Sequence, residues 1–128
     1  MVELRHAGFL PGIHAIEGYG DGGFRFAGMS HRGSILALPS GIHVWSAVVP
    51  EDIDVASLVA LFAEPPGAVE HLLIGTGQDL VPVSHHLRER LRAAGIRAEP
   101  MATGAAARTY PILVGEKRRV AAALLAVP

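Results

Sequence analysis

Residues 69–125 order short apolar runs, Gly-bearing turns and helical periodicity in a way that admits few folds. Val69–Ile74 is an apolar run closed by Gly75-Thr76-Gly77, the pattern of a buried strand ending in a tight turn. Val83, Leu87, Leu91 and Ala94 then recur at helical spacing and share one face. His85, His86, Arg88, Glu89 and Arg92 lie away from it. Gly95 follows the last periodic residue, where a left-handed C-cap is expected, and Ile96 supplies the hydrophobic contact behind that cap. Ile96–Met101 restarts an extended segment. Strand, helix and strand joined this closely predict a right-handed βαβ unit with parallel strands.

Upstream, Ile13–Tyr19 alternates loosely and ends in Gly20-Asp21-Gly22-Gly23 before Phe24-Arg25-Phe26, which predicts a hairpin. His31–Leu38 is a second extended run, closed by Pro39-Ser40-Gly41, and Ile42–Val49 a third. In that third run Ile42, Val44, Ser46 and Val48 share one face and His43, Trp45 and Ala47 the other. Apolar groups on both faces predict a strand covered on both sides. Asp54 is the expected N-cap of a helix over Val55–Ala63, with Val55, Leu58, Val59 and Phe62 as its stripe and Pro65-Pro66-Gly67 as its stop. Pro111 should kink or shorten a helix running from Gly104 to Leu113. The last segment reads both ways: Ala121–Ala123 favour helix by propensity, while the valines and the turn at Gly115-Glu116-Lys117 favour a strand. The expected class is α/β: a single compact layered domain over residues 1–128, with a mixed sheet containing the parallel βαβ unit, plus N-terminal β-hairpins.

Composition narrows the chemistry. A chain of 128 residues, half of them apolar, can bury a core without staples. The absence of cysteine removes disulfides, zinc–thiolate sites and thiol catalysis. A formal net charge of −1 gives no general attraction to nucleic acid or a membrane surface. The N-terminal stretch breaks its apolar residues with acid, His, Gly and Pro, unlike a signal peptide. The apolar run Val120–Val127 is too short to span a bilayer. These features lead to the expectation of a soluble, cytoplasmic protein with no membrane span and no nucleic-acid partner.

Several motifs fall short of a named chemistry. The seven histidines form neither HxH nor HExxH, and His85 and His86 point apart on a helix, so no metal is expected. None of Ser30, Ser34, Ser40, Ser46, Ser57 and Ser84 lies in a GxSxG elbow. Gly75-Thr76-Gly77 followed by Glu99 imitates half of a dinucleotide fold, but Leu80 stands where the third glycine belongs, so no cofactor is expected. The constellation that carries most chemistry is Thr103-Gly104-Ala105-Ala106-Ala107-Arg108-Thr109-Tyr110. Thr103 can cap a helix whose N-terminal amides favour an anion, and Arg108 adds a guanidinium suited to carboxylate or phosphate. The turn at Gly75–Asp79 should lie beside it, because both follow parallel strands at one sheet edge. The candidate ligand residues are therefore Thr76, Gly77, Gln78, Asp79, Thr103, Gly104, Arg108 and Tyr110. The alternative is that Arg108 pairs with Asp79 or Glu99 and locks two elements together.

The order Tyr19-Gly, Gly-Phe24-Arg25, Gly33-Ser34-Ile35-Leu36, Pro39, Trp45, LLIGTG, GI, MATGAAARTY and GEKRRVAAALL resembles the Mth-nine-three-eight-like domain family across nearly the whole chain. That family was long a domain of unknown function; it includes many small bacterial proteins, an adipogenesis-associated human protein and a mitochondrial assembly factor for respiratory complex I. The resemblance implies a compact α/β domain around a mixed sheet, with VAAALL a strand and TGAAARTY a helix. It brings no established catalytic residue or cofactor. Two positions depart from the family pattern: Ala102 stands where Asp is common, and Pro111 where Asn is common. The resulting expectation is a non-enzymatic interaction or assembly protein with a protein partner, linked to complex I assembly by resemblance only, and homo-oligomerisation left open. The rival is a protein that binds a small molecule or anion, or an enzyme, using the crevice at Gly75–Asp79 and Thr103–Tyr110.

Overall fold

The computed structural model describes residues 8–128. Its centre is a six-stranded mixed sheet in the order β1 (Phe9–Pro11), β6 (Gly41–Trp45), β5 (Ser34–Leu38), β9 (Val120–Leu124), β7 (His71–Gly75) and β8 (Arg97–Met101). β7 runs parallel to both β8 and β9, whereas β5 pairs antiparallel with β9 and with β6. A second sheet, β2 (Gly18–Gly20), β3 (Gly23–Phe26) and β4 (Met29–Arg32), is a small antiparallel meander.

The helices follow from handedness. The chain leaves β7 toward β8 on one side through α2 (His85–Ala93), then returns across β7 to β9 through α3 (Thr103–Gly115). Right-handed crossovers in opposite directions place the two helices on opposite faces of the sheet. Leu87 and Leu91 of α2 accordingly share a core with Leu72, Ile74, Ala121 and Ala123, joined by Leu58 and Leu61 from the short helical stretch that ends in α1 (Val59–Phe62). On the other face Ala106, Ala107 and Tyr110 of α3 pack with Leu73, Ala122 and Leu124, and with Phe24 and Phe26 of the small sheet. Three layers result, with β7 and β9 buried in the middle.

The predicted βαβ unit is present, with β7 and β8 parallel neighbours in the register Leu72↔Ala98 and Ile74↔Pro100. Its helix closes as expected. Gly95 has φ +78, its N–H donates to Arg92 O, and the Ile96 N–H reaches back to Leu91 O at 2.9 Å, so both orphan carbonyls are satisfied. Ser84 supplies the N-cap, its hydroxyl accepting from the Leu87 N–H. The hairpin also forms, with Gly20 opposite Gly23 and a two-residue turn in which Asp21 and Gly22 both have positive φ, the conformation that matches strand twist. β9 is a strand despite its three consecutive alanines: burial on both faces between two partners outweighs intrinsic propensity, and small side chains suit a strand with layers packed on each side.

Other expectations are corrected. His31–Leu38 is not one strand: at Gly33, φ +103, the chain turns out of the small sheet at β4 and into the large one at β5. Of the Ile13–Tyr19 run only Gly18 and Tyr19 join a ladder, within β2. The third run ends as a strand at Trp45 and is covered on both sides only in part, since Ile42, Trp45 and Ala47 are buried while Val44 and Val48 are exposed. Asp54 does accept from the Ser57 N–H at 2.8 Å, but the segment after it begins as a tight 3-10 turn at Ala56–Leu58. Leu58 turns inward as expected, but the tighter winding changes the phase of the stripe, so that Leu61 joins it and Val59 turns outward. Ala94, the C-cap residue of α2, is exposed and drops out of its stripe. Pro111 does not shorten α3, which continues to Gly115: the proline removes the bond to the Ala107 carbonyl, yet buried Tyr110 and the packed Leu113 and Val114 hold the helix on the core.

Candidate functional site

The Gly75–Asp79 turn and the start of α3 meet where β7 and β8 end. Glycine at position 75 allows that approach, because a Cβ there would lie 2.9 Å from Thr103 Cα and 3.0 Å from its hydroxyl oxygen. The two turns are laced together. The Thr103 N–H donates to Gly77 O at 2.8 Å, and the Gly77 N–H donates to Thr103 Oγ1 at 3.0 Å. The same hydroxyl donates to Leu125 O at 2.8 Å, so one buried side chain ties the segment just after β9 to α3 and the first turn. Thr76 does similar work inside its own turn: its hydroxyl donates to Asp79 O at 2.7 Å and accepts from the Val81 N–H at 2.9 Å, while its N–H reaches Met101 O.

Thr103 is therefore not the cap of α3. Ala102 occupies the N-cap with no side-chain bond, and the Thr103 oxygen is committed to the seam. Gly77, with φ +107, is held in a conformation that a side chain would strain. Gln78 and Asp79 are exposed at the rim of the turn. Tyr110 is buried beneath α3 in the core, and burial pushes its phenol up to about 12, so it stays protonated and cannot act as a base near neutral pH.

Arg108 points elsewhere. Its Nη1 donates to the Tyr19 hydroxyl at 2.6 Å, and its guanidinium lies 5.9 Å from the Tyr19 ring centroid. The ring also closes over the first turn of α3, where a Cβ on Gly104 would come within 2.6 Å of the Tyr19 oxygen. Among the described residues carboxylates meet other basic groups: Glu99 meets His71, Glu89 meets His85 and Arg92, and Glu70 meets Arg119. Neither Asp79 nor Glu99 holds Arg108, so the expected alternative of a locking ion pair is not what the chain adopts.

The structure thus separates the eight sequence-predicted ligand residues into three settings: a hydrogen-bonded seam (Thr76, Gly77, Thr103), an exposed rim (Gln78, Asp79), and the start and body of α3 (Gly104, Arg108, Tyr110). The feature that sequence reasoning missed is Tyr19. Its signal was an aromatic between two glycines just before the hairpin turn, where flanking residues without side chains leave a ring free to lie across a neighbouring element. Beside it, a cavity of about 250 Å³ is lined by Tyr19, Asp21, Arg25 and Ser30 among others, with Arg25 donating to the Ser30 hydroxyl at 3.1 Å. Chemically the assembly offers a guanidinium, a phenol and helix N-terminal amides, groups that hold an anion or a carbonyl oxygen.

Comparison with known proteins gives consistent relationships. An uncharacterised protein of Rhodobacter capsulatus is 43% identical over 122 residues, covering 95% of this chain and 89% of its own. The NADH dehydrogenase [ubiquinone] 1 alpha subcomplex assembly factor 3 of Danio rerio is 34% identical over 113 residues; the match covers 88% of this chain but only 64% of that longer protein. Among solved structures, an outer membrane protein from Bartonella henselae superposes with a TM-score of 0.82 at 43% identity, over 92% of this chain and 98% of that one. A Mth938-like domain protein of Bordetella pertussis superposes at 0.74 with 32% identity, over 88% and 85% of the two chains. The family model described as protein of unknown function (DUF498/DUF598) matches residues 16–125, and with the Mth938-like architecture now in view the chain belongs to that family.

Proposed function

We propose that the protein is a non-enzymatic interaction or assembly factor, acting on respiratory complex I or its bacterial counterpart. The observation that carries this reading is the 34% identity to a vertebrate complex I assembly factor over 88% of the chain. The candidate site supports it in a second way: the hydroxyls of Thr76 and Thr103 are tied up in hydrogen bonds within and between the two turns, as a structural joint would have them. The reading treats residues 1–128 as one working domain and places it in the cytoplasm. Fractionation tests the location, since one relative carries the name outer membrane protein. The functional test is deletion of the gene in its native cell, with assembled complex I followed on native gels. The expected result is loss of the full complex and accumulation of subassemblies. A normal complex in the deletion strain refutes the proposal.

A second reading, small-anion binding at the start of α3, is favoured by one observation: Arg108 meets the Tyr19 hydroxyl rather than a carboxylate, which leaves its charge available. Phosphate titration should move the Gly104 amide resonance in wild type and leave it still in Arg108→Ala. An unmoved Gly104 amide in wild type removes this reading.

A further inference from the structure

On the far side of β8 from β7, the chain offers a surface that neither reading above uses. Among the described residues β8 pairs on one side only. In a parallel ladder alternate residues direct both backbone groups to the same neighbour. The Arg97 N–H bonds to Glu70 O and the Met101 carbonyl accepts from the Thr76 N–H, so Arg97, Glu99 and Met101 face β7. Ala98 and Pro100 therefore face outward. Pro100 lacks an N–H, which is tolerated only because that position looks away from the sheet. The open edge thus presents the Ala98 N–H and C=O and the Pro100 C=O.

Beside this edge runs a groove of about 470 Å³ between α2 and β8. Ile96 and Ala98 form its floor, and both belong to the core beneath α2. Its outer wall carries Arg88 and Arg92 of α2 against a single acid, Glu89, which lies 3.7 Å from Arg92 and 4.0 Å from His85, while Arg97 lines the β8 side and alternates with Ala98. Arginines outnumber acids along the groove, in a chain whose net charge is −1.

We infer that this groove takes an extended acidic segment of a partner protein, added to the sheet beside β8, a proposal that rests on the interaction reading above and names its surface. A strand laid along β8 pairs its backbone with Ala98 and the Pro100 carbonyl and sends alternate side chains over the groove. Acidic side chains there meet Arg88 and Arg92, where a guanidinium can grip a carboxylate with two parallel bonds. A second copy of the chain is the poorer occupant: edge-to-edge pairing would bring the two sets of arginines together, and Pro100 limits the ladder.

The probe is a blocked hexapeptide of alternating glutamate and valine, titrated into the full chain and followed by amide NMR and hydrogen exchange. The expected result is a shift and at least tenfold slowed exchange of the Ala98 amide, weakening as salt rises, with the lysine–valine counterpart inactive. Arg88→Glu combined with Arg92→Glu, both on the exposed face of α2, should lower peptide affinity at least tenfold with the thermal midpoint retained. An unresponsive Ala98 amide, unchanged affinity in the double variant, or tighter binding of a thymidine oligonucleotide at the same amides overturns the proposal. In the deletion strain the two readings part: if the double variant restores complex I as well as wild type does, the groove proposal fails while the assembly reading stands. If deletion leaves complex I intact, the assembly reading fails whatever the peptide does.

Discussion

Replacing Thr103 by valine tests whether the joint between the two turns rests on hydrogen bonds or on packing. Valine keeps the branched shape but removes the oxygen that donates to Leu125 O at 2.8 Å and accepts from the Gly77 N–H at 3.0 Å. A buried polar group left without a partner costs roughly 1–3 kcal/mol. The Leu125 bond is buried and the Gly77 bond only partly so, which puts Thr103→Val at about 2–4 kcal/mol. Thr103→Ser keeps the oxygen and loses one methyl group, worth about 1 kcal/mol. Relaxation offers little relief, because the Gly75 backbone packs directly against Thr103. Urea unfolding of both variants, followed by circular dichroism, gives the comparison; at a slope of ~1–3 kcal/mol per molar, the valine variant should lose about 1–2 M in midpoint. Hydrogen exchange supplies an independent readout, since the Gly77 amide should lose protection in the valine variant and retain it in the serine one. Equal midpoints for the two variants, or a Gly77 amide as protected in valine as in wild type, refute the hydrogen-bond account.

On α2, Leu87→Ala and Leu91→Ala each remove a fully buried side chain and should cost about 2–5 kcal/mol in urea unfolding, whereas exposed Arg88→Ala should stay within about 0.5 kcal/mol; equal midpoints for all three would place the buried face elsewhere. For Tyr110 the folded value, about 12, lies above the ordinary value of 10.0. The stabilisation it represents is present in full below pH 10 and is lost as pH rises toward 12, about 2–3 kcal/mol in all. Stability of wild type should thus fall more steeply between those values than that of Tyr110→Phe, measured by urea unfolding at stepped alkaline pH, and parallel curves would contradict the assignment.

Local pattern was enough for the elements whose signals lie within a few residues. The strand–helix–strand unit could be read because apolar period and turn glycines are properties of contiguous chain, and because handedness allows only one crossover. Gly95 and the Asp21-Gly22 turn were legible for the same reason: each marks a positive φ that few other residues adopt. The strand character of Val120–Leu124 was not, since its alanines carry no preference for strand and only burial between β5 and β7 makes one of them. Leu58 was legible as part of the stripe, but the inward turn of Leu61 and the outward turn of Val59 depended on whether the backbone wound as 3-10 or α, a choice that packing makes and side-chain pattern does not. At the candidate site the residue types were visible and their partners were not. Thr103 could be read as a cap from its neighbours, yet its oxygen serves Leu125 and Gly77; Arg108 could be assigned an acid nearby, yet it reaches Tyr19, 89 residues away in sequence. Hydrogen bonds of that span depend on which strands become neighbours. Here the return of the chain across β7 brings the start of α3 against the small sheet, a consequence of topology that no window of the sequence contains.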